Sequence, residues 1–170
     1  MQRLALLVLG LWLGLLVASS AVATVNFRTV DRLLGPGQRP ELARTLEPVP
    51  PEGRRFALRH LVSEVNRWIF RTGGIAQLAL AAAVTVLLWP AGGTLRWLAL
   101  AALAITAVQA VGLAGAIASF GRPLDFVPRP LPPDLARRFG LLHGAYVIGD
   151  RAKALLLAVL SVLLLRRPPA

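Results

Sequence analysis

Hydrophobic positions along this chain gather into four long blocks, separated by stretches rich in arginine, proline and glycine. Leu4 to Val25 is an unbroken apolar run long enough to cross a bilayer, and Leu95 to Phe120 is another, interrupted only by Arg96 and Gln109. Ile75 to Trp89 is shorter. At 1.5 Å per residue it reaches ~22 Å against a hydrocarbon core of ~30 Å, so the pattern predicts a span that begins near Trp68 and takes Arg71 in with it. The fourth block, from Leu141 to Leu165, carries Asp150, Arg151 and Lys153 near its middle. The expected architecture is all-α: a four-helix transmembrane bundle in a single membrane domain, 1-170. Its spans fall at about 4-25, 68-89, 95-120 and 139-165, and its polar connections at 26-67 and 121-138.

The connections sharpen that picture. "WPAGGTLRW" places Trp89 and Trp97 on either side of a Pro-Ala-Gly-Gly turn, as in a helical hairpin whose ends lie at a membrane interface. In the first connection, Pro40 followed by Glu41 predicts a short helix, because proline suits the first helical position and an acid suits the positive end of the dipole. From Arg54 onward Leu58, Leu61, Val62, Val65 and Ile69 recur at helical spacing, while Arg55, Arg59, Ser63, Arg67 and Arg71 follow another face. This predicts an amphipathic cytoplasmic helix continuing into the second span. The third connection is Pro-rich, extended, and helical from about Pro133. "PELAR" at Pro40 and "PDLAR" at Pro133 share a helix-start pattern.

Composition supports a membrane protein and narrows the chemistry. More than half of the residues are apolar, and there is no cysteine, which removes disulfides and thiolate chemistry. The net charge of +11 comes from arginines that lie beside apolar spans rather than in a nucleic-acid reader motif. No nucleic acid is expected as a partner; the anionic headgroups of a lipid bilayer are. Thirteen arginines lie in or at the edges of the two long connections, against Arg3, Arg96, Arg166 and Arg167 on the other side. The positive-inside rule then puts those connections in the cytoplasm and both termini outside, in a bacterial inner membrane. The start of the chain, with a basic residue, an apolar core and small residues at Ala21 and Ala23, also fits a cleaved signal peptide as an alternative.

Counting depth along each span brings polar residues of separate helices to one level. Asp150, Gln109 and Gly74 fall together, as do His143, Arg67 and Asn26. The candidate site is therefore an intramembrane polar cluster of Asn26, Glu64, Arg67, Arg71, Gln109, His143, Asp150 and Lys153. Charges there turn away from lipid and pair. Arg71 is the expected partner of Asp150, Glu64 is expected to bond to His60 and Arg67 within its own helix, and Lys153 is a second partner or an easily neutralised amine. Arg151 is expected to point elsewhere and snorkel. The same residues could serve only as glue between helices. His60 with Glu64 has spacing suited to a metal but lacks a third ligand, so no metal and no cofactor is expected. The glycines at Gly73 and in "GLAGAIAS" from Gly112 suit close helix packing, within the bundle or in a homo-oligomer.

Three stretches carry a resemblance. "VATVNFRTVDRLLG", "LRHLVSEVNRWIFRTGGIAQLAL" and "RRFGLLHGAYVIGDRAKALLL" resemble, in order, the four-helix membrane proteins related to transmembrane protein 205, a domain-of-unknown-function family. The most telling point is "FGLLHG", with Phe139, His143 and Gly144 opening the last span. "NFRTV" lacks the Pro-Xaa-Phe that the family often shows near the end of its first helix. The resemblance implies four spans and brings no established reaction. The functional expectation is a membrane protein, not an enzyme, that uses its polar cluster for transport or for binding a small molecule or ion. A structural or accessory subunit that packs against another membrane protein is the alternative.

Overall fold

A computed structural model describes residues 1–36 and 39–168, and every regular element in it is helical. Helix α1 spans Gln2–Leu33, α2 Pro40–Leu46 and α3 Pro51–Leu88. Helix α4 covers Gly93–Ala107, passes through a π-helical segment at Val108–Leu113, and continues as α5, Ala114–Leu124; α6 is Pro133–Leu165. Gln2–Leu33, Pro51–Ala91 and Gly93–Leu124 are long and apolar enough to cross a membrane. α6 is of similar length but interrupts its apolar run with Asp150, Arg151 and Lys153.

The helix boundaries have local causes. Pro40, Pro51 and Pro133 each stand at a first helical position, where a missing N–H costs nothing, and Glu41, Glu52 and Asp134 follow in the positive first turn. α3 is unbroken over 38 residues, or about 57 Å. It stops where Pro90 enters a tight turn, and Gly92 and Gly93 adopt φ of 61° and 51°, a region a Cβ disfavours. α1 departs from expectation. It runs eight residues past Val25, so Asn26 lies inside a helix rather than at the start of a connection.

The long helices pack in cyclic order: α1 on α3, α3 on α4, α4 on α6, and α6 back on α1. α1, α4 with the π segment, and α6 each bury one seam that recurs at steps of three and four residues or their sum. Ala5, Leu9, Trp12, Leu16 and Ser19 form it in α1, Leu95, Ala99, Ala102, Thr106 and Gln109 in α4 and the π segment, and Tyr146, Lys153, Leu157, Leu160 and Leu164 in α6. Ala5, Ala81, Ala99 and Ala102 share this core with the fully buried Trp12, and small residues let helix backbones approach closely. This apolar core occupies the end that holds the Pro90 turn.

α3 is amphipathic from Arg54, as its pattern predicts, and of the predicted apolar stripe Leu61 and Val65 are exposed while Leu58, Val62 and Ile69 are half-buried. Trp68 and Ile75 are exposed as well, while Ser63, Asn66, Gly73, Gly74 and Gln77 are buried. Between Leu61 and Gln77 the large exposed side chains other than Arg71 are apolar and the buried ones polar or small, which fits hydrocarbon surroundings better than water.

Candidate functional site

Below the apolar core the seams turn polar. Lys153 takes a position where the pattern of α6 calls for leucine, and it is 1% exposed. Its ammonium lies 2.9 Å from Asp150 Oδ1, one turn away in α6, and donates to Gln77 Oε1 of α3 at 2.8 Å. The indole N–H of Trp12 in α1 approaches the same Gln77 oxygen at 3.4 Å. On the other side of the ion pair, Gln109 Nε2 donates to the Tyr146 carbonyl at 2.7 Å and to Asp150 Oδ1 at 3.2 Å. One connected network thus joins α1, α3, the π segment and α6. An ion pair inside such a bundle is tolerated because each charge has a counter-charge and an amide to complete its hydrogen bonding.

Glycines set the spacing around it. A Cβ on Gly149 would lie 2.6 Å from Gln109 Nε2, and one on Gly74 would meet Ala110 at 3.4 Å. Gly73 faces Ser19 Oγ, so both residues of the Gly-Gly pair lie against neighbouring helices. The π segment, a form often found at functional sites, carries Gln109. That side chain is 2% exposed, and its Oε1 is buried with no hydrogen-bond donor.

A second polar cluster sits nearer the other end of the molecule. Measured along α3, Arg67 is ten residues from Gln77, about 15 Å away. Asp125, after α5, accepts hydrogen bonds from Arg67 and from His60 Nδ1, the latter at 3.0 Å, and the His60 ring packs on Phe126. Glu64 accepts from Arg67 at 3.0 Å and from Arg122 at 2.8 Å. Asn26 Nδ2 donates to Asn66 Oδ1 at 2.7 Å, tying α1 to α3 beside it. Glu64 and Arg122 lie outside the expected spans 68-89 and 95-120. The hydrogen bonds from Arg122, then Arg67, pull the Glu64 carboxyl from 4.5 to about 2, and Glu64 in turn raises Arg122.

The expected cluster therefore divides. Gln109, Asp150 and Lys153 belong to the inner network; Asn26, Glu64 and Arg67 belong to the second level. Arg71 is exposed and is not the partner of Asp150, because its azimuth on α3 faces outward; Lys153 takes that place. His143 is also exposed, and it stacks on Phe139 at 5.9 Å instead of joining either level. Glu64 does not hold His60, which turns to Asp125. Arg151 points outward.

Trp12, Gln77, Tyr146, Asn66 and Asp125 were missed. Asn66, Phe70, Gly73 and Gln77 follow one another at steps of four, three and four, a spacing that puts the two amides on the face of the Gly-Gly pair. Asp125 gives no such signal, since only the fold returns it to α3. No family model, curated protein or solved structure matches this chain.

Proposed function

We propose that the chain is a four-helix transmembrane bundle, α6 being the fourth span, that binds a small molecule or ion at the inner polar network as part of a transport or carrier role. One observation carries this reading: a fully buried lysine is paired to an aspartate, the lysine donating to the Gln77 amide of α3 and the aspartate accepting from the Gln109 amide of the π segment, at the polar end of an apolar core. Ionisable groups in such surroundings are costly, and in membrane proteins they mark ligand and ion sites. The outward apolar stripe of α3 supports the bilayer setting. The arginine count supports cytoplasmic connections against anionic headgroups, with both termini outside in a bacterial inner membrane. The "FGLLHG" resemblance is consistent with the same four spans.

The deciding experiment compares the purified wild type with the double variant Asp150→Asn, Lys153→Met. If the pair serves a ligand rather than the fold, removing both charges leaves stability unchanged or raises it by about 1–4 kcal/mol. A double variant clearly less stable than the wild type would assign the pair to helix cohesion and overturn the proposal. A second reading, an accessory subunit, is favoured by Gly112 and Gly115, where an added Cβ meets nothing within 4 Å, beside the outward Val111. Co-purification of a partner, lost with Gly112→Leu, supports it.

A further inference from the structure

The arginines at the Pro90 end of the bundle have no acidic side chain to pair with. No Asp or Glu occurs before Asp31, between Glu64 and Asp125, or after Asp150, and Asp150 is held by Lys153 and Gln109 deeper in the bundle. Arg96 differs from its neighbours at this end, Arg3, Arg166 and Arg167, in that its guanidinium is positioned by aromatic rings. It lies over the indole of Trp89, 5.1 Å from the ring centre, and over that of Trp97, at 5.6 Å. The turn at Pro90, with Gly92 and Gly93 at positive φ, brings both rings to one cation. A ring takes up the face of a guanidinium and leaves its in-plane N–H groups free to donate. Among the described residues the Arg96 side chain forms no ion pair or hydrogen bond, and none of its nitrogens is buried. Leu88 and Leu95, on either side of the turn, are in the apolar core, whereas Trp89 and Trp97 are 53% and 64% exposed. Pro51–Ala91 and Gly93–Leu124, the helices joined here, are long and apolar enough to cross a membrane, so the rings and the cation stand at the level where hydrocarbon gives way to headgroups.

We propose that Arg96, held by Trp89 and Trp97, binds the phosphate of a phospholipid in the leaflet that meets the Pro90 turn. The guanidinium fork matches two phosphate oxygens, and the phosphate supplies the counter-charge that the chain lacks at this end. The exposed indoles offer apolar surface to the glycerol and the first acyl carbons, and rings of this kind sit at the boundary of hydrocarbon and water. A soluble anion would gain from the fork but nothing from the indoles, so the lipid is the better occupant. This inference goes beyond the inner polar network: it rests on the bilayer setting of α3 and α4 and not on the pairing of Lys153 with Asp150.

The test uses the full chain in phosphatidylcholine nanodiscs with traces of two photoreactive probes, a phosphatidylcholine and a diacylglycerol that carry the same acyl chains and the same diazirine near the glycerol. Labelled positions are mapped by peptide mass spectrometry. The phospholipid probe is expected to label residues 86–97 about tenfold more than the diacylglycerol, as one charge-assisted hydrogen bond allows. Arg96→Gln should bring that ratio to about one while leaving helix content and the labelling of residues 61–75 unchanged. Replacing both rings, Trp89→Leu with Trp97→Leu, keeps the cation and should lower the ratio about threefold, the worth of an exposed cation–π contact. A ratio near one in the wild type, or a ratio that Arg96→Gln does not change, overturns the site. Loss of the preference on adding excess inorganic phosphate would assign Arg96 to a soluble anion and overturn it equally. If neither probe labels α3 or α4 anywhere, the bilayer setting fails and the site with it, whereas labelling of both helices by the two probes alike removes the phosphate site alone. Each of these outcomes is independent of the Asp150→Asn, Lys153→Met experiment.

Discussion

Replacing Gly149 by alanine tests whether the Gln109 amide is held as described. The new Cβ would lie 2.6 Å from Nε2 and 3.0 Å from Cδ, so the amide must move. Movement withdraws Nε2 from Tyr146 O and Asp150 Oδ1, and a buried donor stripped of acceptors costs about 1–3 kcal/mol. Alanine also favours the helix by about 0.8–1 kcal/mol over glycine, which leaves a net loss of roughly 0–2 kcal/mol. Gly144 supplies the control. It lies in the same helix, a Cβ there meets nothing within 4 Å, and Gly144→Ala should gain the helical preference alone. The two variants should therefore differ by about 1–3 kcal/mol, with propensity cancelling in the comparison. Equilibrium unfolding of each in mixed micelles measures the difference. Equal stability of the two, or a more stable Gly149→Ala, would refute the placement of the amide against Gly149.

Three further outcomes are expected. Asp150→Asn alone leaves Lys153 buried without its counter-charge and should cost about 3–5 kcal/mol, with Lys153→Met added to it restoring at least the whole loss in the same unfolding assay. Arg71→Ala, at an exposed position outside both networks, should change stability by less than about 0.5 kcal/mol, whereas Arg67→Ala removes two ion-pair contacts and should be plainly destabilising. Glu64 has its carboxyl lowered from 4.5 to about 2, so its contribution is complete above pH 4.5 and is lost as pH falls through 2. The stability difference between wild type and Glu64→Gln should accordingly stay constant above pH 4.5 and shrink below it; a difference that already declines near pH 6 would contradict the Arg122 contact.

The outward Leu61 and Val65 of α3 show where reasoning from a pattern needs its solvent specified. Leu61 and Val65 have the spacing of a core-facing stripe, and in water they would be one. With hydrocarbon outside, the helix gains by turning that stripe outward and sheltering Asn66 and Gln77 among its neighbours. The same argument explains the split of the candidate site. Depth counts placed Asp150 level with Gln109, and the structure joins them. Depth alone also made Arg71 a candidate for Asp150 and gave no reason to prefer the adjacent Lys153.

Helix existence, the Pro40 and Pro133 starts and the Pro-Gly-Gly break depend on bonds and preferences within a few residues, so the sequence by itself determined them. Pairing was decided by tertiary structure. Each residue turns a helix by about 100°, and the π segment shifts that phase for everything after it, so the direction in which Gln109, Asp125 or Lys153 points depends on how all the helices settle against one another. A linear pattern records rise and spacing, but the rotation that matches one helix to the next is fixed only when their seams meet.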